Sequence, residues 1–192
     1  MDKEGAVLST VNRRSVDGFK DAVMKAQAYV DLVNKADRTP AEELKLIEAQ
    51  LGMGKISGDE ALGRLDGVEG ADEAAVSQLR AAIEAKAFDG EIATALQSAG
   101  RPTSQAEADA TIAKLGASFW ESYEAGKRPS SGSEIETPFY SVLMQYGINA
   151  KLAGPARAGF DKINALHGSN PQAKPQIDKF RKMVEEVEAA GK

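Results

Sequence analysis

Chemistry that this chain could perform is constrained first by what it lacks. It contains no cysteine and one histidine. Thiol catalysis, disulfides, thiolate metal sites and multi-histidine metal centres therefore drop out. His167 precedes Gly168 at the end of a helical pattern. There an imidazolium would sit among the terminal carbonyls, or the ring would simply be partly buried. No G-x-S-x-G turn accompanies it, so a serine–histidine pair has no support. The acidic, glycine-rich run SGDEALGRLDGVEGADE carries Asp59, Asp66, Glu69 and Asp72. It does not follow the calcium-loop pattern, and half of it reads as a capped helix whose first-turn acids suit the macrodipole. GMGKISG lacks the first glycine of a phosphate loop and has Ile56 after Gly54-Lys55. The sequence thus predicts no catalytic residue, no metal ligand and no cofactor.

One stretch does gather unusual residues. FWESYEAGKRPSSGSEIETPFY, residues 119–140, holds Phe119, Trp120, Tyr123, Phe139 and Tyr140, five of the eleven aromatic residues. Phe119 and Tyr123 share a helix face and Trp120 lies about 100° round from Phe119. Phe139 and Tyr140 begin the next helix, and Tyr146 continues it. Lys127, Arg128, Ser130, Ser131 and Ser133 lie between, and Thr137 is read as the N-cap of the following helix. Two antiparallel helices joined here would bring the rings together near the loop. Trp, Tyr and Arg favour protein contacts, and free N–H groups at a helix start favour anions. Trp120, Lys127 and Arg128, with Tyr123 and Tyr140, are the candidate binding residues. Large rings also anchor ordinary helix–helix packing.

The elements that position these residues are helical almost throughout. Val16, Phe19, Val23, Val30 and Val33 recur at steps of three, four or seven and define one face, expected to point inward. TPAEELKLIEAQLG opens with Thr39 as cap, Pro40 at the first position and Glu42 completing a capping box. Ala41, Leu44, Ile47 and Leu51 form its inward stripe. Ser57–Glu60 and Ser104–Glu107 repeat the box. Residues 39–66, with GKISGDEAL at their centre, resemble the small helical hairpins with a GKIS-x-x-EAL core found in many bacterial proteins. That resemblance implies an αα-hairpin and no particular function. A long helix from about Asp72 is expected to bend or break at Asp89–Gly90. GPARAGFDKINALHG opens at Pro155, and the final helix carries Ile177, Phe180, Val184 and Val187. Only GAVLSTV, residues 5–11, is ambiguous between helix and strand.

This pattern predicts an all-α fold, an irregular multi-helix bundle or stacked helical hairpins with eight or nine helices. It fits one domain over residues 1–192, with an internal boundary, if any, near 97–104. Composition agrees with a soluble protein: 42% of residues are hydrophobic and 28% charged, with a net charge of −5. That balance argues against a general nucleic-acid binder. Charge is uneven: −6 over residues 1–100 and +1 over 101–192. Seven basic residues against two acidic ones in 151–183 read as a solvated face or a docking face for an acidic partner. No apolar run reaches the ~20 residues of a membrane span. The start has no signal-peptide pattern, which suits a cytoplasmic protein or the mature part of an exported one. The expectation is a non-enzymatic interaction or regulatory domain with a protein partner, standing alone or as part of a larger protein or assembly. The competing expectation is a helical ligand-binding domain with an aromatic-lined pocket for a small anionic or aromatic ligand.

Overall fold

The computed structural model of the chain describes residues 16–190; the ambiguous 5–11 patch lies outside them. Among the described residues there are eight helices and no strand. In order they are α1 (Val16–Asn34), α2 (Pro40–Gly52), α3 (Gly58–Asp66), α4 (Glu73–Ser98), α5 (Gln105–Glu124), α6 (Glu136–Ala150), α7 (Ala153–His167) and α8 (Lys174–Ala190). The all-α class holds, and contacts run mainly between consecutive helices. The chain divides into two compact units, Met1–Glu84 and Ala85–Lys192, whose boundary falls inside α4.

The first unit is built on the hairpin of α2 and α3. Thr39 accepts from the Glu42 N–H while the Glu42 side chain accepts from the Thr39 N–H, so two orphan donors are satisfied at once. Glu42 also pairs with Lys35 at 2.6 Å. That ion pair, with the Thr39 N–H and the Thr39 hydroxyl both donating to the carboxylate, pulls its pKa down to about 2. Gly54, at φ 68°, turns the chain in a conformation a side chain would strain. Ser57 then caps α3. Leu44, Ile47, Ala61, Leu65, Leu79 and Ile83 make the core. Ala41, expected inward, is exposed, because the helix buries a second side instead. Leu46 on that side packs with Tyr29 of α1. Glu43 joins Arg38 at 2.7 Å and Arg64 at 2.6 Å, so one carboxylate ties the α1–α2 connection to α3.

α1 corrects the sequence reading. Among its described side chains α1 buries Ala22 and Tyr29, while Phe19 is 61%, Val23 50% and Val33 44% exposed. Val30 is half-buried. Periodicity located the apolar face correctly, but α2 covers only its edge.

The second unit is assembled around α6. Phe88 and Ile92 of α4 join Phe119, Phe139, Leu143, Met144, Phe160, Ile163, Ile177 and Val184 in its core. α4 runs unbroken through Asp89–Gly90. Gly90 is exposed with open space around it, and one helical glycine costs only ~1 kcal/mol, which the burial of Phe88 and Ile92 on either side offsets. α6 and α7 touch backbone to backbone. A Cβ on Gly147 would lie 2.1 Å from the Ala156 nitrogen, and one on Gly159 would lie 2.5 Å from the Met144 nitrogen. α5 also comes close to α6, since a Cβ on Gly116 would collide with the Tyr146 side chain. Lys151, with φ 55°, turns the chain between α6 and α7. α8 is pinned to α7 by Arg157, whose guanidinium donates to both Glu188 oxygens at 2.7 and 2.6 Å.

These glycines set opposite expectations. Gly147→Ala should destabilise by about 3 kcal/mol or more, because backbone rather than a mobile side chain stands in the way. Gly90→Ala should stabilise by up to ~1 kcal/mol. Urea midpoints followed by circular dichroism check both; a Gly147→Ala midpoint equal to the parent's would contradict the close packing.

Candidate functional site

The candidate binding residues converge, as the antiparallel hairpin of α5 and α6 requires. Phe119 and Phe139 pack with ring centroids 5.0 Å apart, and Phe88 meets Phe139 edge-on at 5.5 Å. Tyr123 meets Tyr140 edge-on at 6.4 Å. Trp120 lies one turn before Tyr123, and their rings stack at 5.3 Å with planes 13° apart. Gly154, at the start of α7, leaves room for this indole; a Cβ there would approach it to 3.0 Å. Phe119, Phe139 and Tyr140 are buried, and Trp120 and Tyr123 are half-buried. Burial pushes the Tyr140 phenol's pKa up from its ordinary value, since the phenolate would lose its hydration.

The two cations of the loop turn back onto the protein. The Arg128 guanidinium carbon sits 3.4 Å from the centre of the Tyr123 ring, and its Nη1 donates to the carbonyls of Tyr123 and Lys127. Arg128 therefore closes the C-terminus of α5, where carbonyls lack helical partners. Lys127 reaches Glu91 of α4 at 3.3 Å and lies 5.5 Å above the Phe88 ring. The rings fill the space between the helices with one another.

The loop is held further along by Asp89 and by Glu136 with Lys162, the last two not singled out by the sequence pattern. The Ser130 N–H donates to Asp89 at 2.9 Å. Glu136 is 3% exposed; it accepts from the Gly132 N–H at 2.7 Å and pairs with Lys162 of α7 at 2.8 Å. Burial opposes its ionisation, yet the Lys162 ammonium and the Gly132 N–H outweigh it, so the carboxyl stays below the usual carboxylate range. The same contact raises Lys162. Ser133 Oγ is buried without a partner. The sequence predicts Thr137 as the cap of α6, but the helix starts at Glu136 behind Ile135, with no side-chain cap. Its hydroxyl instead lies 3.1 Å from His167 Nε2, joining the first turn of α6 to the last of α7. Nothing in one dimension marked Glu136 as different from an ordinary first-turn acid, because its partner lies 26 positions away.

Other sequence candidates are distributed rather than gathered. In the acidic glycine-rich run, Asp66 pairs with Arg80 and Asp72 accepts from the Ala74 N–H. Among the described residues no group of three His, Cys, Asp or Glu side chains is placed to hold a metal. In the basic C-terminal stretch Arg157, Lys162 and Arg181 are paired with acids. The first unit has an open groove of about 380 Å³ beside Pro40 and Val68, lined by Arg38, Arg64, Glu43 and Glu69 rather than by rings. No family model, curated protein or solved structure matches the chain.

The Glu136–Lys162 pair makes a pH prediction. A carboxyl more acidic in the native than in the unfolded chain stabilises the fold above the ordinary glutamate range, and this contribution fades as pH falls through it. Glu136→Gln should cost about 2 kcal/mol at pH 7, less than for a fully buried pair because Lys162 stays partly hydrated. The difference from the parent should be full above the ordinary glutamate range and shrink as pH falls below it, through the lowered native value. Urea midpoints at several pH values test this, and a difference that does not change with pH would remove the ion pair as its source.

Proposed function

We propose that the protein is a non-enzymatic helical interaction domain whose contact surface is the uncovered side of α1. The observation that carries this reading is the exposure of Phe19, Val23, Met24 and Val33 on one 19-residue helix. Every exposed large hydrophobic side chain among the described residues belongs to that helix except Leu152. Phe19, Val23 and Val33 lie within about 80° of one another round the helix, with Met24 on another side, and an exposed apolar stripe on a charged protein is where association gains from removing water. The aromatic corner supports this role less well. Arg128 and Lys127 are spent on Tyr123, Glu91 and backbone carbonyls, and the rings pack on each other. Its geometry favours anchoring the second unit over an aromatic-lined ligand pocket.

Two sets of variants separate the alternatives. Phe19→Ser with Met24→Ser should leave the melting temperature within about 2 °C of the parent, because surface substitutions rarely exceed ~0.5 kcal/mol. The same pair should abolish retention of the protein's binding partner in a pull-down. Trp120→Ala or Arg128→Ala should lower the melting temperature and leave retention intact. Loss of binding from the second set, with α1 variants binding normally, would move the interface to the aromatic corner.

A further inference from the structure

We draw no further inference here: the strongest candidate, the exposed apolar stripe of Phe19, Val23 and Val33 along α1, belongs to the surface already described, and nothing in the structure shows what covers it.

Discussion

The close approach of α6 and α7 is the constraint on which the second unit depends. Where Gly147 meets the Ala156 backbone, and Gly159 meets Met144 and Tyr140, the two helices leave no room for a Cβ. Contact at that range brings Leu143, Met144, Phe160 and Ile163 into one layer. It also fixes where the ends of the helices fall. Lys162 thereby comes within 2.8 Å of Glu136, and His167 within 3.1 Å of Thr137. The loop before α6 is then held through Gly132 and Ser130 as well as by its own turns, in which the Ser133 and Glu136 N–H groups donate to the Ser130 and Ser133 carbonyls. A bulkier residue at either glycine would move these polar partners together with the core.

The first unit is organised differently. Its α2 and α3 are short and capped, and Glu43 stands between two arginines. Such partly exposed ion pairs contribute little each, so the order there comes from the caps and from the six-residue core around Ile47 and Leu65. α1 joins this unit mainly through Tyr29 against Leu46.

Local chemistry was the legible part of the sequence. Thr39, Ser57 and Ser104 begin their helices as their hydroxyls require, because a cap involves residues only three apart. The convergence of Phe119, Tyr123, Phe139 and Tyr140 was legible for a similar reason, since a hairpin brings its own ends together. Three readings failed where distant residues decide. Thr137 carries a cap's chemistry but faces His167, thirty positions on. Asp89–Gly90 has a helix breaker's composition, yet the apolar residues either side of it hold α4 straight through. The α1 stripe has the period of a buried face, and periodicity says which residues share a side without saying whether the chain supplies anything to cover it.

Trp120 is the chain's one tryptophan and it stacks on Tyr123 within the second unit. Its emission is therefore a private signal of residues 85–192, quenched or shifted when the α5–α6 corner opens and silent to events around Ile47. Far-ultraviolet dichroism, by contrast, sums helices from both units. Following one denaturation with both probes would reveal whether the two units melt as a single cooperative body, because coincident curves are the signature of two-state unfolding.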